Sequence, residues 1–165
     1  MMMSIEQPGL NCTLMGVLRG VADYYGINAT TPILYGLTGH AFLINTHEAL
    51  CPSGPYCWDR APFFRLAKNV GLDICDLGFF SQGSSPAERA ALESTVRCCL
   101  DRKIPCSLIN LENQLIKGFD RTGFLTTQPW GPEVDFPQKH ITFGTWEELG
   151  EEIHLNVFTF TRTQG

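Results

Sequence analysis

The sequence predicts an α+β fold in one domain over residues 1–165, with a helical part to about residue 104 and an antiparallel sheet from about 105 to 165. Three observations carry this expectation. Up to Pro105 apolar side chains recur at three- and four-residue spacing, the stripe of helices with one buried face. Beyond Pro105 the spacing changes to two, the period of a half-buried strand. The strand–helix alternation of a doubly wound sheet is missing.

The first helix runs from Cys12 to Tyr25, where Leu14, Val17, Leu18, Val21 and Tyr24 form one stripe and Gly26 supplies the stop. Thr31-Pro32 opens a second, short helix that ends by Gly36, because Thr caps well and Pro suits the first helical position. Ala41 to Ile44 reads as a short strand and leads into an ordered loop dense in Pro, Gly and Ser that reaches Trp58. Pro62 to Val70 is helical, with Phe63, Phe64, Ala67 and Val70 on one side and Gly71 closing it.

Ser85-Pro-Ala-Glu88 is a capping box with Pro at the first helical position, and Leu92, Val96, Cys99 and Leu100 carry that helix to about Lys103. Strands follow at Ser107–Leu111, Gln114–Phe119, Gly123–Thr127 and His154–Phe160. Thr145-Trp-Glu-Glu148 marks a short capped helix between the last two.

Composition narrows the function. Hydrophobic residues make up 44% and charged residues 18%, which suits a compact globule and excludes disorder. Twelve basic and seventeen acidic side chains leave a net charge of -5, so no cationic field draws nucleic acid or anionic lipid. No apolar run approaches the roughly 20 residues of a spanning helix, and the N-terminus lacks a signal-peptide pattern, so the expected compartment is the cytosol. Seven cysteines, an odd count, argue against a disulfide framework there. His47, Cys51 and Cys57 share a loop but match no usual zinc spacing, so neither a metal nor another cofactor is expected.

The chemistry centres on Cys12. A helix N-terminus lowers a cysteine pKa because its unpaired N–H groups and dipole favour the thiolate, the nucleophilic form. Gln7, five residues upstream, offers an amide that with the Cys12 backbone N–H holds a developing oxyanion. Cys12 also reads as a small hydrophobe on a buried helix face.

The runs QPGLNCT, YYGI and LYGLTGHAF resemble the start of the bacteriocin-leader-processing peptidases and, more closely, the N-terminal domain of the butirosin-biosynthesis acyltransferase family, both papain-like in fold. QLIKGFDRTGFLTTQPWG is similar to the family's strand pair, where a His opens one strand before a Gly-aromatic-Asp turn and Asp-Pro or Asn-Pro ends the next. The resemblance implies a papain-like cysteine proteinase fold, Cys12 as the nucleophile, and acyl transfer by a peptidase, amidase or acyltransferase. Two positions depart from it. Where the His belongs the chain has Glu112, Asn113 and Gln114, with Gln114 aligning best, and Gln128 precedes Pro129.

An amide takes no proton from a thiol at neutral pH. Either a base comes from elsewhere, with His40 the best placed of four histidines, or the cleft binds a peptide, an acyl ligand or a protein partner without turnover. His40 equally suits a hydrogen bond within its own loop. Gln114, Gln128 and Trp58 are the candidate ligand-binding residues, Trp58 as a cleft wall or as a pin for its loop.

Overall fold

A computed structural model describes residues 2–42, 59–131 and 133–163. Four helices and six strands occur among them: α1 (Thr13–Tyr24), α2 (Thr31–Leu37), α3 (Ala61–Ala67), β1 (Leu72–Ser81), α4 (Pro86–Asp101), β2 (Cys106–Asn110), β3 (Glu112–Phe119), β4 (Gly123–Thr126), β5 (His140–Thr142) and β6 (His154–Arg162). The strands form one sheet in the order β1-β6-β2-β3-β4-β5, every neighbouring pair antiparallel.

The helices begin and end where their local chemistry dictates. In α4 the Ser85 hydroxyl accepts from the Glu88 N–H at 3.3 Å while the Glu88 carboxylate accepts from the Ser85 N–H at 2.7 Å, a reciprocal cap for two orphan donors. Gly71 closes the α3 region in the left-handed conformation at φ 83°, which costs glycine little.

Three expectations are corrected. β1 lies within the stretch read as helical, so the sheet draws a strand from the first part of the chain. Its alternation is broken by a bulge between Asp76 and Phe79, where Gly78 has φ 118°. The capped helix expected at Thr145–Glu148 is a 3-10 turn over Glu147–Leu149 with no side-chain cap, because the Glu148 carboxylate instead accepts from the Thr142 N–H at 2.8 Å and from its hydroxyl. Ala41 and Phe42 end a 3-10 turn that starts at His40, and the rest of the strand expected there lies outside the described residues.

The core forms on both faces of the sheet. Residues 113–116 of β3 are buried in succession, as in a strand covered on each side. Leu115 faces α1: its Cδ1 lies 2.8 Å from where a Cβ on Gly20 would stand. Cys106 of β2, whose register partner in β3 is Ile116, faces Cys99 of α4 instead. Helix α1 is wrapped almost completely, with Met15, Val17, Leu18 and Val21 at 0% exposure. No helix of the described residues is long and apolar enough to cross a membrane.

The chain ahead of α1 is an extended arm. Met3, Ile5 and Gln7 are buried and alternate with exposed Met2, Ser4 and Glu6. Two glycines one turn apart let it lie across α1. A Cβ on Gly20 would stand 2.2 Å from the Glu6 carbonyl oxygen, and one on Gly16 would stand 2.6 Å from the Pro8 carbonyl oxygen.

Candidate active site

Cys12 is the residue at which the arm becomes α1. Its backbone is extended (φ -98°, ψ 105°), and its carbonyl accepts the first helical bonds from Met15 at 3.0 Å and Gly16 at 3.1 Å. Thr13 and Leu14 precede the first of these bonds, and no acidic residue occupies that turn, so the helix dipole at this end favours a negative charge at the half-buried Cys12.

Side chains from the sheet fix this corner. The Thr13 hydroxyl donates to the Glu112 carboxylate at 2.7 Å and accepts from the Asn113 N–H at 3.1 Å, tying the first residue of α1 to the start of β3. Gly9 packs against the segment after β4, where an added Cβ would stand 2.5 Å from the Pro129 carbonyl oxygen. Cys12 is thereby held between α1, β3 and the Gln128-Pro129 turn.

Gln7 has a different set of partners from the oxyanion role expected of it. Its Nε2 donates to the Asn113 carbonyl at 2.8 Å and the Thr13 carbonyl at 3.4 Å, while its Oε1 accepts from the Leu115 N–H at 2.9 Å and from the Thr127 hydroxyl. The side-chain amide thus fills one rung of a ladder along β3. Both of its protons are committed to backbone carbonyls.

Gln114 and Gln128, the candidate ligand-binding amides, bond to backbone carbonyls of the segment after β4. Gln114 is 1% exposed, and its Nε2 faces the Gln138 carbonyl at 2.7 Å, the Thr127 carbonyl at 2.8 Å and the Thr126 hydroxyl at 3.2 Å. Half-buried Gln128 donates to the carbonyls of Pro137 at 2.9 Å and Val134 at 3.0 Å, and accepts from the Trp130 N–H at 3.0 Å. Together the two amides pin the segment joining β4 to β5. Where the resemblance places a His and an Asp, these side chains fold a loop.

His40 stands at the end of α2. Its ring meets Tyr35 edge-on at 5.4 Å and Phe63 at 6.1 Å, and burial lowers its pKa, so the imidazole is neutral at pH 7. Tyr35 connects this side to Cys12. Burial, and after it the charge of a Cys12 thiolate, raise its hydroxyl above the ordinary tyrosine value and keep it protonated. Beside His40 opens a largely apolar cavity of about 280 Å³ lined by Thr38, Gly39, His40, Asp59, Pro62, Phe63 and Leu66.

The remaining candidates lie elsewhere. Trp58, His47, Cys51 and Cys57 fall outside the described residues. His140 lies between Asp120 and Glu148 at 3.7 and 3.6 Å, at the sheet edge, and His154 packs against Phe79 at 5.9 Å. No group of three or more His, Cys, Asp or Glu among the described residues is arranged to hold a metal ion. Sequence reasoning passed over Tyr35 and the reach of Glu112. An aromatic in LYGL and a carboxylate at a strand start have no local pattern that reports what they face.

No protein-family model matches the chain, and no curated protein matches it in sequence. Solved structures do share its architecture. The peptidase domain of Streptococcus ComA, a bifunctional ABC transporter involved in a quorum-sensing pathway, aligns with a TM-score of 0.52 at 16% identity, over 97% of this chain and 98% of that one. A double-glycine-motif protease from an AMS/PCAT transporter, in complex with the leader peptide, aligns with a TM-score of 0.51 at 15% identity, over 98% and 93%. This chain packs helices on a six-stranded antiparallel sheet, and its fold is the papain-like fold of those peptidase domains.

Proposed function

On this papain-like fold, we propose that the chain is an acyl-transfer protein with Cys12 as nucleophile, acting as a peptidase, amidase or acyltransferase on a peptide or other acyl ligand in the cytosol. One observation carries the reading: Cys12 occupies the N-terminus of α1 beside Tyr35, whose ring packs on His40. Neutral His40 takes the Cys12 proton, directly or through a water, and the sulfur attacks the carbonyl carbon. The Tyr35 hydroxyl and the N–H groups that open α1 face the developing oxyanion, a task for which Gln7 has no proton to spare. The His40 imidazolium then protonates the leaving group, and water or an acceptor releases the acyl group from sulfur. The cavity next to His40 suits an apolar portion of the ligand.

Thiol alkylation tests this. With iodoacetamide at pH 7, Cys12 should label at least about tenfold faster than exposed Cys75 and Cys98, and H40N should remove most of that advantage. Equal rates at the three cysteines would sink the proposal.

The saturated bonds of Gln114 and Gln128 favour a second reading, in which the papain-like cleft binds a peptide, an acyl ligand or a protein partner without turnover. A slow Cys12 in the alkylation series, together with an intact fold, is its expected signature.

A further inference from the structure

In the corner that holds Cys12, the Glu112 carboxylate has no ion-pair partner among the described residues. Glu112 opens β3 directly after Leu111, a residue 67% exposed and held at φ 67°, so the backbone reverses sharply just before the glutamate. Its Oε2 is fixed by the Thr13 hydroxyl at 2.7 Å, one residue from the nucleophile. Among the described residues Oε1 accepts no hydrogen bond, and no cationic side chain lies within ion-pairing distance of either oxygen. Lys117 pairs with Glu6 at 2.8 Å and Arg19 with Asp23 at 2.8 Å.

A negative charge bonded to Thr13, the chain neighbour of Cys12, opposes the thiolate that the helix terminus favours, because like charges repel. A ligand carrying a positive charge removes that opposition on arrival. We infer that Glu112 makes Cys12 selective for ligands that bring an ammonium or guanidinium group to the start of α1, and that such a group raises the nucleophile's reactivity as it binds. The inference rests on Cys12 being the nucleophile and adds to it the charge class of the substrate. Glu112 acts here as a specificity-determining residue.

Two methanethiosulfonate reagents of matched size and opposite charge, 2-(trimethylammonio)ethyl and 2-sulfonatoethyl, measure the effect. Each forms a mixed disulfide with the thiolate and releases methanesulfinate, and peptide mass mapping reads the rate at every cysteine of the intact chain. At low ionic strength the cationic reagent should outpace the anionic one at Cys12 by about tenfold, and this ratio should shrink as salt is added. E112Q retains an oxygen for the Thr13 hydroxyl and should lower the ratio several-fold at Cys12 while leaving the ratios at Cys75 and Cys98 in place. E112D should restore part of it. A Cys12 ratio that E112Q leaves unchanged overturns the assignment of Glu112, even if Cys12 is fast toward neutral iodoacetamide. A Cys12 that is slow toward iodoacetamide and both charged reagents overturns the nucleophile itself, and this inference with it.

Discussion

Gln114 shows how one side chain answers a question that its residue type leaves open. On a strand beside a candidate nucleophile an amide reads as a replaced base or as a ligand contact, and burial decides for neither: its Nε2 is spent on the Thr127 and Gln138 carbonyls. Q114A would leave those two carbonyls without their donor inside the fold, and each orphaned acceptor costs on the order of 1–3 kcal/mol. The expected loss is about 3 kcal/mol, read as a lower urea midpoint with an unchanged slope. A loss under about 0.5 kcal/mol would mean that water replaces the amide freely and that Gln114 is a surface residue in practice. Gln7 teaches the same lesson from the other direction. Its place ahead of Cys12 was legible in the sequence, but its partners Asn113, Leu115 and Thr127 lie more than a hundred positions away, and no local pattern reports a contact of that kind.

Elements were legible in proportion to how local their causes are. The helix α4 could be read from Ser85 and Glu88 because both halves of its cap lie within one turn. β1 could not be read from its residues, since the bulge at Gly78 interrupts the two-residue period, and three-residue β5 is too short to show any period. The groove in α1 is a subtler case. Gly16 and Gly20 look like weak points of a helix, as glycine in a helix interior costs up to about 1 kcal/mol relative to alanine. They are where the arm crosses, and in G20A the new methyl would meet the Glu6 carbonyl oxygen, a backbone atom that cannot rotate away. The intrinsic gain is therefore reversed, and G20A should lose about 1–3 kcal/mol through overpacking. Because Gln7 lies between Glu6 and Cys12, the same variant should also slow Cys12 alkylation. If G20A is more stable than the parent, the arm does not rest on α1 as described.

Acid stability joins these parts, because the perturbed groups on the histidine and carboxylate side all push in one direction. Burial holds the His40 pKa below the ordinary 6.5. Between the folded and unfolded values the unfolded chain binds more protons on this ring, so stability rises with pH there. In the other direction the penalty is absent above about pH 6.5 and grows as pH falls, until the folded ring protonates as well. The carboxylates act lower. Asp120 is held far below its usual value by the Thr122 hydroxyl and then by the N–H groups of Thr122 and Gly123. Glu88 is lowered by the Ser85 N–H and hydroxyl, and in Glu148 burial works upward but is outweighed by bonds from Thr142. What these three contribute is present above the ordinary carboxylate values of 3.8 and 4.5 and is lost as pH falls through the folded ones. Glu88 and Asp120 are exposed, so solvent screens their share. The urea midpoint should therefore fall in two stages on acidification, the first beginning near pH 6.5 and the second below about pH 4.5. In H40N the first stage should disappear and the second remain. A wild-type midpoint that is flat from pH 7.5 to 5 would place His40 in water, and with it would go the buried neutral imidazole that the proposed deprotonation of Cys12 requires.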